Sequence, residues 1–159
     1  MRIYGCLEGS ERTVSPTVAK ILKQEFEMGL TNIEIYNNFQ DRAQKVKNAL
    51  IKFLIEQKDL GKSVAGYGAA AKGNTILNYA GIKPDLLPYI CDSATSKQGH
   101  FMPGSNIPIL SPEVIKEKKP DYILILPWNL SSEIIKAYSF VRDWGAKFVT
   151  AVPEIKIIQ

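Results

Sequence analysis

The run Tyr122-Ile123-Leu124-Ile125-Leu126 restricts the fold more than any other segment of the chain. Five apolar residues follow one another with no polar residue between them. A strand sends successive side chains to opposite faces, so a run of this kind is covered on both. That is the signature of a parallel sheet with helices packed on either side. The sequence from Lys62 onward supplies the rest of such a sheet. Ser63-Val64-Ala65-Gly66-Tyr67 reads as a first strand, and Ala71 to Tyr79 as a helix stopped by Gly81. Leu86 to Cys91 reads as a second strand, followed by a polar loop from Ser93 to Asn106. Ile107-Pro108-Ile109-Leu110 reads as an edge strand, because proline cannot donate to a ladder. Ser111-Pro112-Glu113 starts a helix, with proline preorganised for the first turn. Ser131 to Trp144 reads as a helix ended by Gly145, and Lys147 to Val152 as the last strand. This alternation predicts an α/β fold: a Rossmann-like, doubly wound, mainly parallel sheet over residues 61–159.

Residues 1–60 read as an N-terminal extension with a strand and two helices. Arg2 to Leu7 is strand-like and Glu8 to Thr13 is a polar loop. Ser15-Pro16 opens a helix in which Val18, Ile21, Leu22 and Phe26 keep helical spacing, with a stop at Gly29. A second, long helix is expected from Asn32 to Leu60, ended by Gly61, with Ile35, Phe39, Ala43, Val46, Leu50, Phe53 and Leu54 on one face. One strand and two helices cannot build a sheet of their own. The strand is therefore expected to find a partner elsewhere or to be mobile.

The chain has 159 residues, 45% of them hydrophobic and 23% charged, which is the composition of a folded globular domain. Its formal net charge is +4. The basic residues are scattered, and no basic run interleaved with aromatics predicts a nucleic-acid face. Two cysteines and one histidine cannot supply the four ligands of a structural zinc site, so no metal is expected. Cys6 and Cys91 fall in strand-like stretches and are expected as free thiols in a reducing, cytoplasmic setting. Met1-Arg2-Ile3-Tyr4 leads into strand-like sequence, so no secretory leader is expected. No apolar run approaches the roughly 20 residues of a membrane span.

The strongest chemical signal is Gly66-Tyr67-Gly68-Ala69-Ala70-Ala71-Lys72-Gly73. Gly66, Gly68 and Ala71 satisfy G-x-G-x-x-A directly after a strand and at the start of a helix, the context that gives this pattern meaning. The first glycine permits a tight turn, the second lets a ligand approach the backbone, and the small third residue lets helix and strand pack closely. The helix N-terminus then offers free N–H groups and a positive dipole end to phosphate, with Lys72 as an added charge. Asp92 lies 24 residues after Gly68, at the end of the second strand, where an acidic side chain meets a ribose hydroxyl in dinucleotide sites. Gly68 to Thr75 also approximates a P-loop, but Asn74 stands where its lysine is required, which excludes an NTPase reading.

Loops at the carboxyl ends of parallel strands build ligand sites. Lys97 and Gln98 lie in the loop after the second strand, and Trp128 and Asn129 follow the most buried strand. Trp128 and Asn129 have two readings: stacking on a base and bonding a sugar, or packing the core and capping the next helix. Tyr67 likewise either lies over a ligand or packs. No Ser-His-Asp, Cys-His or paired-carboxylate arrangement emerges, so no catalytic residue is assigned and the chain alone is expected to be inactive.

Several segments together resemble one family. They are Val64 to Thr75, Lys97-Gln98-Gly99, Pro103-Gly104, Ile107-Pro108-Ile109 and Leu124-Ile125-Leu126-Pro127-Trp128-Asn129. They look like the C-terminal domain of S-adenosylmethionine-dependent sugar C-methyltransferases, which methylate a carbon of a nucleotide-linked keto-deoxysugar. Arg2-Ile3-Tyr4 resembles the last strand of that family's methyltransferase domain, and Val14-Ser15-Pro16 the helix after it. The resemblance implies a domain that holds the nucleotide-diphosphate sugar beside an upstream methyltransferase domain, joined in cis or in trans. The turn and the strand-end loops supply the candidate binding residues: Gly66, Tyr67, Gly68, Ala69, Ala70 and Lys72, together with Asp92, Lys97, Gln98, Trp128 and Asn129. The resemblance places zinc, S-adenosylmethionine and the catalytic base in upstream domains, which have no counterpart among these 159 residues. Other readings of the turn are an NAD(P)-binding dehydrogenase-like domain and a non-catalytic Rossmann-type regulatory or CoA-binding module.

Overall fold

The computed structural model describes residues 3–159. They fall into two units, the first ending at Asp41 and the second running from Arg42 to Gln159.

In the first unit, α1 (Pro16–Glu27) begins where Ser15 accepts a hydrogen bond from the Thr17 N–H and Pro16 takes the first turn. None of its residues is buried. A short 3₁₀ turn covers Ile33–Tyr36, capped by the Asn32 side chain. No strand forms over Ile3–Leu7, and Arg2 lies outside the described residues. The apolar character of Ile3, Tyr4 and Leu7 is only a propensity; without a neighbouring strand it does not make a ladder. The long helix expected from Asn32 begins instead at Phe39, because Asn32 caps the 3₁₀ turn.

The second unit opens with α2 (Phe39–Asp59), which starts just before the boundary and runs into it. Leu50, Phe53 and Leu54 of α2 are buried in one core with Val64, Leu77, Ile90, Leu124 and Val149. The helix thus packs with the sheet-bearing unit, which runs from Arg42 to Gln159. The strands are β1 (Val64–Tyr67), β2 (Ile90–Cys91), β3 (Ile109–Leu110), β4 (Tyr122–Ile125), β5 (Lys147–Thr150) and β6 (Lys156–Ile158). Their order in the sheet is β3-β2-β1-β4-β5-β6. All neighbours are parallel except β5 and β6. Helices α3 (Ala71–Ala80), α4 (Glu113–Lys118) and α5 (Ser131–Ala137) complete the order.

The two faces of the sheet build separate cores. Val64, Leu124, Leu126 and Val149 face α2 and α3, while Ala65, Tyr67, Ile123, Ile125 and Phe148 face α4 and α5. The continuous apolar run of β4 is therefore covered on both sides, as its composition requires. This is the doubly wound, mainly parallel Rossmann-like sheet that the strand–helix alternation predicts.

Three local expectations change. The second strand is shorter than Leu86 to Cys91, since Leu86 and Leu87 donate to the Lys83 carbonyl in a turn and Pro88 has no N–H to give. The helix expected from Ser131 to Trp144 breaks at Tyr138, whose backbone leaves the helical region; Ser139–Trp144 continues as 3₁₀. The Tyr138 ring is anchored on Tyr67, with centroids 4.5 Å apart, and Trp144 Nε1 donates to the Pro120 carbonyl at 3.1 Å. The antiparallel β6 was not expected: three residues after Pro153 carry too little pattern to mark a strand.

The polar loop after β2 is less free than its composition implies. Gly99 N–H donates to the Ile109 carbonyl, Ile109 N–H to the His100 carbonyl, and Met102 N–H to the Ile107 carbonyl. The outer edge of β3 is paired by this segment rather than left open.

Close backbone approach is written into three glycines. A Cβ on Gly66 would stand 2.6 Å from Ile90 Cγ1, one on Gly68 2.6 Å from Pro127 Cδ, and one on Gly73 2.6 Å from Leu126 Cβ. Gly73→Ala improves helix propensity but overpacks α3 against β4. It should destabilise the second unit by about 1–3 kcal/mol in denaturant titration.

An ion pair ties the amino ends of β1 and β4. Asp121 accepts from Lys62 Nζ at 2.8 Å, from the Ser63 N–H at 2.9 Å and from Ser63 Oγ at 2.9 Å. The Lys62 ammonium first, and the Ser63 N–H second, hold the Asp121 carboxyl down at about 2. Its folded value lies below the unfolded one, so its contribution is present above the ordinary carboxylate range and is lost as pH falls towards 2. The advantage of the parent over Asp121→Asn should therefore shrink when denaturation is followed from pH 6 to pH 2. The partly exposed side chain limits this advantage to at most about 1 kcal/mol.

Candidate functional site

The chain order turns back at one place in the sheet. From β1 it proceeds outward to β2 and β3, then returns to the other side of β1 with β4. Between the carboxyl ends of β1 and β4 the two following segments diverge to opposite faces, which opens a crevice at this switch point. The glycine turn leaves β1 on one side of it, and Pro127-Trp128-Asn129 leave β4 on the other.

The turn is shaped by the protein's own packing. Gly68 has φ +88°, a left-handed conformation that favours glycine, and the Pro127 ring fills the space where a Cβ would lie. Sequence reasoning assigns this position to ligand approach; the structure gives its missing Cβ to Pro127. Sequence reasoning also gives helix–strand packing to Ala71. The structure gives it to Gly73, which is buried against Leu126, while Ala71 is exposed. Gly66 is buried against β2.

After the turn, α3 starts at Ala71 with Ala70 at its N-cap and no side chain capping it. The first helical bond runs from the Asn74 N–H to the Ala70 carbonyl. The N–H groups of Ala71, Lys72 and Gly73 precede it and have no acceptor within the helix. They form the positive end of the helix dipole at the mouth of the crevice.

Lys72 reaches across the crevice. Its Nζ donates to Asn129 Oδ1 at 2.7 Å and stands 5.6 Å from the centroid of the Trp128 ring. Trp128 belongs to neither core cluster, and no side chain caps α5, so the packing-and-capping alternative for Trp128 and Asn129 does not hold. A cation, an amide and a half-buried indole thus gather beside a free helix N-terminus. That set can bind an anion and a flat ring together.

The remaining sequence-predicted residues support the turn from the β2 side. Asp92 is buried; its Oδ2 accepts from the Ala69 N–H at 2.6 Å and from Lys97 Nζ at 3.2 Å, and its Oδ1 from the Ala94 N–H at 2.8 Å. Lys97 Nζ also donates to the Ala69 carbonyl at 3.0 Å. Gln98 Nε2 donates to the backbone carbonyl of Asp92 at 2.9 Å. Tyr67 takes the packing alternative: it is buried and its hydroxyl donates to the Tyr138 hydroxyl at 2.8 Å. Burial pushes the Tyr138 phenol above its ordinary range. Burial pushes the Cys91 thiol up to about 12, which keeps it protonated at neutral pH and without nucleophilic character. His100 is exposed, and its backbone N–H donates to the Lys97 carbonyl at 3.2 Å.

Sequence reasoning missed Pro127 as the partner of Gly68 and Ala69 as the residue held by Asp92 and Lys97. Pro127 lies in the Leu-Pro-Trp-Asn string that the family resemblance singles out, which is the signal that pointed to it. Ala69 carries no side-chain signal, because its role is in its backbone. Among the described residues no group of three histidine, cysteine or acidic side chains is placed to hold a metal ion. No helix among them is long and apolar enough to cross a membrane.

C-methyltransferase NovU from Streptomyces niveus is 33% identical over 156 residues, which are 98% of this chain and 37% of that protein. The chain therefore spans little more than a third of its relative's length. A structural likeness to UDP-D-quinovosamine 4-dehydrogenase from Vibrio fischeri covers 62% of this chain and 93% of that one, with a TM-score of 0.43 and 17% identity. The family model of the C-methyltransferase C-terminal domain matches residues 1–153. The chain belongs to the family of C-methyltransferase C-terminal domains.

Proposed function

We infer that this domain holds the nucleotide-diphosphate sugar for a C-methyltransferase that acts on a nucleotide-linked keto-deoxysugar. The observation that carries this reading is the convergence of Lys72, Asn129 and Trp128 on the uncapped N-terminus of α3, at the switch point of the sheet. The diphosphate lies at the Ala71, Lys72 and Gly73 N–H groups and beside the Lys72 ammonium. The Trp128 indole offers a face to the base, and the Asn129 amide a hydrogen-bonding partner to a sugar. Proton abstraction, methyl transfer, zinc and S-adenosylmethionine belong to other domains. The setting is the cytoplasm, where nucleotide-linked substrates are kept.

The first unit serves the partner domain. Val18, Leu22 and Phe26 form one stripe of α1, and 72% of Phe26 is exposed. A stripe of this spacing is the apolar face of a helix that packs against another element. The upstream methyltransferase domain, in cis or in trans, is that element.

Calorimetric titration of a nucleotide-diphosphate sugar, NAD and CoA into the chain tests the ligand class. The sugar nucleotide is expected to bind, and preference for NAD or CoA overturns the reading. Lys72→Ala should weaken the sugar nucleotide by about 1 kcal/mol, since an exposed charge near phosphate is screened. Trp128→Ala should weaken it by about 1–3 kcal/mol if a base stacks there. Unchanged affinity in both variants would place the ligand elsewhere.

The chain alone should transfer no methyl group from S-adenosylmethionine to a keto-sugar nucleotide. Protein-dependent methylation in a radiolabel assay would contradict this. Phe26→Glu should leave sugar-nucleotide binding intact while abolishing association with a methyltransferase domain of the family in size-exclusion chromatography.

A further inference from the structure

Asp92 occupies the position at which dinucleotide-binding sheets present a carboxylate to ribose, yet its oxygens are committed within the protein. Asp92 is 8% exposed. One oxygen accepts from the Ala69 N–H at 2.6 Å and from Lys97 Nζ at 3.2 Å, and the other from the Ala94 N–H at 2.8 Å. Lys97 Nζ closes the ring by donating to the Ala69 carbonyl at 3.0 Å. A single residue of the turn, Ala69, is thus held at both of its backbone polar groups by two side chains that also hold each other. Gln98 completes the support by bonding the Asp92 carbonyl at 2.9 Å. Nearby, the Gly68 N–H donates to the Cys91 carbonyl at 2.7 Å.

We propose that Asp92, with Lys97, is a positioning residue that locks the glycine turn in its phosphate-binding shape and does not read ribose. This rests on the reading of the turn as a phosphate site. A charged acceptor on a backbone N–H, made short and shielded from water, is among the stronger hydrogen bonds available to a protein. Fixing Ala69 fixes the backbone direction entering α3, and so the aim of the Ala71, Lys72 and Gly73 N–H groups. A pre-aimed set of donors binds an anion without ordering a loop on arrival. The lock also removes the carboxylate that an adenosine ribose would use, which turns the site away from dinucleotides of the NAD type.

The two roles of Asp92 differ in what its loss does to a ligand that has no ribose. Inorganic pyrophosphate and uridine diphosphate serve as probes on the full 159-residue chain. For a positioning residue, Asp92→Asn weakens both probes together, by about tenfold. For a ribose-reading residue, it weakens uridine diphosphate and leaves pyrophosphate unchanged, which overturns the proposal. Amide NMR gives a second measurement that needs no ligand. The Ala69 amide proton should lie far downfield and exchange slowly in the parent, then move upfield and exchange faster in Asp92→Asn, with the Ile123 to Ile125 amides unchanged to show an intact sheet. Should Asp92→Asn fail to fold, Lys97→Met removes the other arm from a half-exposed position, and the Ala69 amide should again exchange faster. An Ala69 amide that is neither shifted nor protected in the parent overturns the lock. If the parent binds neither probe, the phosphate-site reading fails, while the Ala69 amide still decides whether Asp92 holds the turn.

Discussion

The approach of β1, the glycine turn and α3 to their neighbours at Cβ-excluding distance is the constraint on which the rest of this domain depends. Gly66 lies against Ile90, Gly68 against Pro127 and Gly73 against Leu126. Each contact joins a different part of the β1–α3 unit to an adjacent strand or to the segment that follows it. Together they set how close α3 stands to the sheet and where its N-terminus emerges. The crevice between β1 and β4 owes its walls to these contacts, and Lys72 reaches Asn129 only because α3 starts so near the end of β4. A glycine-rich turn of this kind is a packing device first. Its capacity to face an anion is a consequence of where packing leaves the helix end.

Much of the fold was legible because β4 is apolar on both faces and because strand and helix patterns alternate after Lys62. Those signals are local and strong, and the structure follows them at β1, β3, β4 and β5. What was not legible depended on tertiary contacts. Ile3, Tyr4 and Leu7 have strand composition but no strand beside them. Tyr138 breaks a helix that its neighbours in sequence would continue, because its ring is held by Tyr67. The α2 helix looked like part of an appendage, since nothing in Leu50, Phe53 and Leu54 says which core they enter.

The candidate site was legible as a neighbourhood more than as a set of contacts. The motif pointed to the turn, to Lys72 and to the segment after β4, and the structure brings these together. It also shows that several residues chosen for ligand contact act on one another. Asp92, Lys97 and Gln98 face the backbone around the turn, and Tyr67 is buried in a core. Residue type alone cannot separate a side chain that touches a ligand from one that holds the loop that does. Burial and partners make that distinction.

The segment that pairs with the outer edge of β3 also bears on how freely that side of the sheet can move. Gly99, Ile109 and Met102 donate the bonds that tie this loop to the strand. A movable flap over a binding site must leave its resting place without exposing unpaired backbone. Lifting this segment would strip β3, the last parallel strand, of its cover. The β2 side of the sheet is therefore held by backbone bonds along its outer edge rather than by side chains alone.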